Sequence, residues 1–409
     1  MLGIIKKIDG LLMALILAHE SIFFCVCSIL EIDYEGSNDS SAWRFFIIFC
    51  LTYMVLRSIL TKNIFKQRSV LVLIMPVLFL LLGYITFFSY DYESNMVIFL
   101  YIVAWQYLAS FLAINVNQIE PFVRLKKSFV FCVFIITVGT FLSFIKFMLH
   151  GGGISVGGAT YQALSYYAAF SFGMTLYYLN YSNQIFAKKW VPKIKLLMYI
   201  SIPLQITSLV FGGGRGAAVL FVVYCFVYAL NNNKVDIKKY FGWIIFIALL
   251  AVIYMNFISQ DSFLISRFER LFSYLDGNSV NMASSGRETF YNTTIDYILE
   301  NPVIGHGLLS YWCLANLKFY PHQLFLEILL EGGIVYFGIW LFIWFLLYKK
   351  YKVLKKKDSI FLNDKFLITV ILYPIVMLQF SGTYSYNMLY WFGIFLLMTI
   401  SNKSAKKIQ

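Results

Sequence analysis

The chain has 409 residues, of which 60% are hydrophobic, 19% aromatic and only 13% charged, with a formal net charge of +13. Soluble domains carry about 25% charged and about 45–50% apolar residues. This composition, with a mean hydropathy of +0.74, therefore excludes a water-soluble globular protein and points to a polytopic membrane protein. The positive charge invites a nucleic-acid reading. However, about 25 of the 33 Lys and Arg residues lie in short segments that alternate with poorer ones along the chain, which is the positive-inside pattern. The charge reports orientation in a bilayer, and no nucleic acid is expected as a partner.

Apolar stretches near the ~20 residues needed to cross a bilayer fall at 8–30, 43–61, 69–90, 96–115, 128–149, 161–182, 196–212, 215–231 and 241–259, then at 323–348, 366–382 and 386–401. They predict an all-α polytopic membrane protein of about twelve transmembrane helices, one transmembrane domain over residues 1–409. The first stretch is too long for the apolar core of a cleavable signal and no small-residue cleavage site follows it. Basic loops on alternate sides place both termini in the cytoplasm and the protein in the plasma (inner) membrane. Two ionisable residues in the first span, His19 and Glu20, have no partner that the sequence identifies.

One segment breaks this pattern. Residues 260–322 form the one long extramembrane stretch, and the parity of the spans makes it extracytoplasmic. Within it, Leu264, Phe268, Leu271, Phe272 and Leu275 share a helical face, as in a helix lying on the membrane surface. A second helix is expected from Ser285, where Ser285-Gly-Arg-Glu288 has the capping-box pattern, through Ile295 and Ile298 to a stop before Pro302. Long loops with helices of their own are usually functional, so this loop is expected to bear part of the active site. Cys313 is the lone cysteine in it, and the chain has no CxxC or HExxH motif. Its outer loops hold no Asp-x-Asp pair. Neither a disulfide framework, nor a metal site, nor a cofactor is expected.

Three positions carry candidate chemistry. Arg215 sits in Phe211-Gly-Gly-Gly-Arg-Gly-Ala217, the tight connection between two spans, at the start of the second. Gly214 and Gly216 beside it permit close backbone approach to a ligand, and a helix N-terminus with a guanidinium suits a phosphate. The alternative is a hairpin whose arginine snorkels to lipid headgroups. Arg287 begins the second loop helix, where a cation opposes the helix dipole unless an anion, or Glu288, offsets it. His322 follows Pro321, a natural first helical residue, and is expected in the first helical turn. The positive helix end there favours neutral imidazole, which can accept a proton. Gln323, Glu327 and Glu331 recur every four residues as a polar stripe on an otherwise apolar helix. Acidic groups in a span are functional candidates, unless they pair with other helices and hold the bundle together. His306, in a loop, is a weaker candidate.

Taken together these segments resemble the O-antigen polymerase/ligase superfamily, the Wzy-type polymerases and WaaL-type ligases. Gly212-Gly-Gly-Arg-Gly-Ala217 resembles the family's Ser-Gly-Ser-Arg-Gly turn. Ser285-Gly-Arg-Glu-Thr-Phe290 through Asn301-Pro-Val-Ile-Gly-His-Gly307 resembles its Arg-bearing helix followed by Pro-x-x-Gly-x-Gly. Pro321-His-Gln-Leu-Phe-Leu-Glu-Ile-Leu-Leu-Glu-Gly-Gly333 resembles its His-Asn-x-x-Leu-x-x-x-x-Glu-x-Gly segment. Glycines stand here for both family serines and Gln323 for the usual Asn.

The resemblance implies metal-independent, inverting transfer of a glycan from undecaprenyl diphosphate at the outer membrane face. The acceptor would be a sugar hydroxyl on a second lipid-linked oligosaccharide. Arg215 and Arg287 would hold the diphosphate and His322 would activate the acceptor, with Gly214, Gly216, His306, Gln323, Glu327 and Glu331 lining the substrate. Membrane lipid and a chain-length regulator protein would be partners. The alternatives are a ligase that transfers glycan to lipid A–core, and a lipid-linked oligosaccharide flippase. A transporter should instead carry midplane ionisable residues on several helices, often with internal repeats.

Overall fold

The computed structural model describes residues 2–34, 41–89, 96–150, 155–229, 287–314, 317, 320–356, 361–362 and 365–400. Among the described residues the chain is helical and has no β-strand, only an isolated bridge between Val156 and Ala159. In chain order the helices are α1 (Leu2–Leu17), α2 (His19–Ile29), α3 (Ser41–Leu60), α4 (Gln67–Ser89), α5 (Met96–Val116), α6 (Ile119–His150), α7 (Tyr161–Ile185), α8 (Val191–Gly212) and α9 (Arg215–Ala229). They continue as α10 (Arg287–Glu300), α11 (Leu324–Lys356), α12 (Phe366–Met377) and α13 (Met388–Thr399). The span expected at 241–259 and the amphipathic face from Leu264 to Leu275 lie outside the described residues.

The helices fall into two compact units. One comprises Met1–Ala42, Val123–Ala283 and Ile368–Tyr373; the other comprises Trp43–Phe122, Ser284–Leu367 and Pro374–Gln409.

In the first unit α7 is the central helix and packs most closely on α8 and α9. From Leu164 to Ser182 every residue except Asn180 is buried. A helix shielded on all sides need not present an apolar face to lipid, which explains why α7 tolerates so many Tyr and Ser residues. One of its buried hydroxyls is met by a neighbouring helix: the Gln205 amide on α8 donates to Thr175 on α7 (2.9 Å) and to Thr137 on α6 (2.8 Å). Tyr224 of α9 lays its ring on Gly173, where a Cβ would stand 2.4 Å from the ring, and its hydroxyl donates to the Thr369 carbonyl at 2.7 Å.

The first expected span is corrected: it is not one straight helix but α1 and α2, bent by 92° about Ala18. A bend frees helix carbonyls, and His19 answers one of them, its Nδ1 bonding the Ile16 carbonyl at 2.9 Å. Glu20 accepts from the Tyr167 hydroxyl at 3.1 Å. Both residues thus have partners that the sequence did not identify, because those partners are a local carbonyl and a side chain far along the chain.

In the second unit α5 packs on α13 and α4, and α11 on α10. Arg57, an arginine within an expected span, is buried and donates to Asn115 Oδ1 at 2.7 Å. At the far end of α13, Arg68 donates to the Ile400 carbonyl and Lys350 to the Met398 carbonyl, each at 2.7 Å, cations at the negative end of a helix dipole.

The expected count of about twelve spans is not confirmed among the described residues. Among the described residues three helices, Ile119–His150, Val191–Gly212 and Leu324–Lys356, are long and apolar enough to cross a membrane, or four if the bent α1–α2 pair is one span. The stretches expected at 366–382 and 386–401 are corrected to two helices of 12 residues each. At 1.5 Å per residue each is about 18 Å long, short of the ~30 Å hydrocarbon core. The residues left over form the turn 378–387, which supplies hydrogen-bond partners to α11.

A Gly173→Val substitution should drive a branched side chain into the Tyr224 ring and destabilise the first unit by about 1–3 kcal/mol, the usual cost of overpacking. The midpoint of thermal unfolding of the purified protein checks this; an unchanged midpoint would contradict the α7–α9 packing.

Candidate active site

Arg215 is the first residue of α9, as the sequence implied. The preceding Gly213 closes α8 in the left-handed conformation (φ 67°), the usual glycine exit from a helix. Gly212 and Gly214 lie against Ser165 of α7, where a Cβ would stand 2.2 Å and 2.8 Å from the serine side chain. The Ser165 hydroxyl accepts from the Gly214 amide at 3.0 Å. The glycine turn is therefore fixed on the central helix of the first unit, and Gly216 is buried in the first turn of α9. The Arg215 side chain is only half-buried at that helix start.

The remaining candidates belong to the second unit. Arg287 lies on α10, which runs to Glu300 and ends before Pro302 as expected; the expected capping residue Ser285 lies outside the described residues. The path of the chain beyond α10 depends on a break in α11. Gly333 departs from helical geometry (φ 60°, ψ −162°), a region open essentially to glycine alone. Four backbone groups that an unbroken helix would pair internally are turned outward, and residues 302–307 take them up. The His306 and Gly307 amides donate to the Leu330 and Glu331 carbonyls at 2.9 and 2.7 Å, while the Ile334 and Val335 amides donate to the Pro302 and Val303 carbonyls at 2.9 and 3.2 Å. The approach is close enough that a Cβ on Gly305 would stand 2.5 Å from the Gly332 nitrogen, and one on Gly333 would stand 2.4 Å from Val303 backbone atoms.

This stitched break positions the acidic stripe. Glu327 and Glu331 are buried, at 0% and 2% exposure. Glu331 accepts from the Leu309 amide at 2.8 Å and from the Tyr384 hydroxyl. Glu327 accepts from the Thr383 hydroxyl, and Thr383 bonds Ser385 at 2.7 Å. Trp391 donates to the Tyr384 carbonyl at 2.8 Å, holding the 378–387 turn in place. Tyr311, in the turn just after Leu309, has its phenol pushed well above its ordinary range by burial and by the nearby Glu327 and Glu331 carboxylates. Leu309, Tyr311, Thr383 and Tyr384 were missed by sequence reasoning. For Thr383 and Tyr384 the signal was a run of four hydroxyl residues, Thr383-Tyr-Ser-Tyr386, between two apolar stretches.

His322 is corrected. It is not in a helical turn, because α11 starts at Leu324, and its backbone is left-handed (φ 56°), which is uncommon for a residue other than glycine. Its ring lies 4.5 Å from that of Tyr320 and 6.3 Å from that of Phe290, centroid to centroid. Phe290 stands three residues after Arg287 on α10, one helical turn on. Gln323 is the cap of α11: its Oε1 accepts from the Leu326 amide at 2.6 Å. His306 is held by a different contact, Nε2 donating to the Tyr297 carbonyl of α10 at 2.7 Å, so its ring ties the loop to that helix.

Two glycines of α11 separate the break from ordinary helix. Gly333→Ala should cost about 1–3 kcal/mol in backbone strain alone and displace the 302–307 segment. Gly338, with open space where its Cβ would be, should accept Ala with a gain of roughly 0.5–1 kcal/mol. Thermal unfolding of the two variants side by side checks this, and equal tolerance would contradict the break.

No curated protein matches the chain. Residues 200–341 match the family model Wzy_C, described as O-antigen ligase. The matched stretch runs from within α8 to within α11 and holds Arg215, Arg287, His306, His322 and the Gln323–Glu331 stripe. Through residues 200–341 this helical membrane protein is shown to resemble the O-antigen polymerase/ligase superfamily.

Proposed function

We propose that the protein is a surface-glycan polymerase. It transfers undecaprenyl-diphosphate-linked glycan to a sugar hydroxyl on a second lipid-linked oligosaccharide at the outer face of the plasma membrane. The observation that carries this reading is that the matched segment presents two arginines on helices, Arg287 on α10 and Arg215, which is the first residue of α9. A cation opposes the dipole at such a position and is favoured there only when an anion joins it. A helix N-terminus with a guanidinium suits a diphosphate.

The chemistry rests on those charges. The acceptor hydroxyl oxygen attacks the anomeric carbon from the face opposite the diphosphate, and the bond from that carbon to the diphosphate oxygen breaks. Undecaprenyl diphosphate departs with the electron pair, and its developing charge is what the guanidiniums stabilise. The acceptor proton passes to His322. Its left-handed backbone and its aromatic neighbours Tyr320 and Phe290 fix the ring, a positioning that general-base work requires. Glu327 and Glu331 support this indirectly, by holding the loop before His322 and the 378–387 turn to α11. The ligase reading is favoured by the description of the matched family. It differs only in the acceptor, lipid A–core.

The test is transfer by the purified protein with lipid-linked glycan as donor and acceptor in excess chelator, alongside the glycan ladder of cells carrying each variant. Arg215→Lys and Arg287→Lys keep the charge but lose the two-pronged contact, and should lower the rate by about 10²–10³. His322→Ala should lower it by roughly 10²–10⁴, and His306→Ala should be milder. Polymer should form with chelator present. Near-normal ladders for the Lys variants and His322→Ala at matched protein levels would overturn the site, and activity restored only by a divalent ion would overturn the metal-free mechanism. Loss of the protein should leave single repeats on the final acceptor; a bare acceptor with polymer on the lipid carrier would instead establish the ligase.

A further inference from the structure

The first unit has a cavity that none of this chemistry uses. It lies where α2 ends and α6 ends, has a volume of about 230 Å³, and is lined by both acidic and basic side chains. Glu31 and Asp33 come from the turn after α2, Lys146 and His150 from the last turns of α6, and Ser155 and Gly157 from the connection that leads to α7. Phe147 and Ile32 supply an apolar part of the wall.

The walls are built rather than incidental. Gly157 has φ 57°, and a Cβ on it would stand 2.2 Å from the Phe24 carbonyl oxygen. Only glycine lets the 155–159 turn close onto α2 in this way. Its carbonyl accepts from the Tyr34 amide at 3.3 Å, and the Tyr34 ring packs edge-on against Phe23 at 5.0 Å. Ser28 on α2 bonds Ser143 on α6 at 2.6 Å. Lys146 donates to the Ser28 carbonyl at 2.9 Å and pairs with Glu31 at 3.6 Å. That pair is open to water, with side chains 36% and 77% exposed. Such a pair contributes little to stability, so its groups are available to a ligand that offers hydroxyls.

We infer that this cavity is a saccharide subsite, which binds one pyranose unit of the glycan through Glu31, Asp33 and Lys146, with the sugar's apolar face on Phe147. The inference rests on the reading of the substrate as a glycan, and assigns a binding site separate from the residues of the transfer step. Size and chemistry both support a sugar. The volume is below the ~300–1,000 Å³ of pockets that take drug-sized ligands, so it suits a single ring. Carboxylates accept from neighbouring hydroxyls while an ammonium and serines donate, and the remaining apolar wall suits the C–H face of a pyranose. A bare divalent cation is disfavoured because the Lys146 ammonium already stands beside Glu31.

The experiment uses the full-length protein in lipid nanodiscs and, as probe, the oligosaccharide repeat released by mild acid from the lipid carrier of the producing cells. Binding is read by saturation-transfer NMR and calorimetry. The wild type should bind the repeat; Asp33→Asn should weaken it about tenfold or more, as loss of a charged hydrogen-bond acceptor implies, and Ser155→Trp, which fills the cavity from an exposed position, should abolish it. Both positions are at the surface, so matched thermal unfolding separates lost binding from misfolding. His322→Ala should retain this binding while polymer is lost. Absence of binding in the wild type, or undiminished binding in both Asp33→Asn and Ser155→Trp, overturns the subsite. Binding sensitive to these two changes in a protein that shows no transfer leaves the subsite standing and removes the proposed activity instead.

Discussion

The second unit depends on one backbone exchange. An α-helix that breaks inside a membrane protein exposes amides and carbonyls that lipid cannot satisfy, and each such group left unpaired costs several kcal/mol. At Gly333 the helix does break, and the four groups it frees are taken up by residues 302–307. The same exchange that satisfies the backbone fixes where the loop after α10 runs. From there it sets Leu309 on Glu331 and Tyr311 near both carboxylates, while α10 itself carries Phe290 towards His322. Glycines at 305, 332 and 333 are the requirement on the sequence, because each sits where a side chain would meet backbone or a neighbouring ring.

Buried carboxylates are the second constraint. Glu327 and Glu331 are one helical turn apart, and the partners seen for them among the described residues are hydroxyls and an amide. Hydrogen bonding is the condition on which such groups are tolerated away from water. The 378–387 turn supplies most of it, which explains why α12 and α13 are too short to be full spans: part of their apolar stretch is given over to a polar turn that serves α11. The arginines show the opposite arrangement. Arg57 is buried and is answered by Asn115, whereas Arg215 is half-buried at a helix start.

Much of this was legible in the sequence, and the exceptions have physical causes. The start of α9 at Arg215 and the end of α10 before Pro302 could be read because glycine turns and proline stops are local signals. The polar stripe of Glu327 and Glu331 could be read from its four-residue repeat. His322 was misplaced because the helix starts three residues later than expected: a proline at the head of an apolar run is usually the first helical residue, whereas here Gln323 caps the helix and leaves the histidine outside. The bend at Ala18 left no local mark, since Ala is an excellent helix former and the compensation comes from the imidazole of His19. The partners of Glu20, Glu327 and Glu331 lie 147, 56 and 53 residues away, and no reading of spacing along the chain reaches them. Span reading overran the ends of α12 and α13 because hydropathy averages over a turn with four hydroxyl residues in a row, Thr383 to Tyr386, embedded between apolar ones.

The central claim, that the candidate site is held on a stitched break in α11, can be tested directly by hydrogen–deuterium exchange of the protein in lipid nanodiscs. The amides of His306, Gly307, Ile334 and Val335 should be protected to the level of the α11 interior, and the protection of all four should be lost together in Gly333→Ala. If His306 and Gly307 exchange as an open loop in the wild-type protein while α11 stays protected through Gly333, the exchange does not exist and the account of the site is wrong.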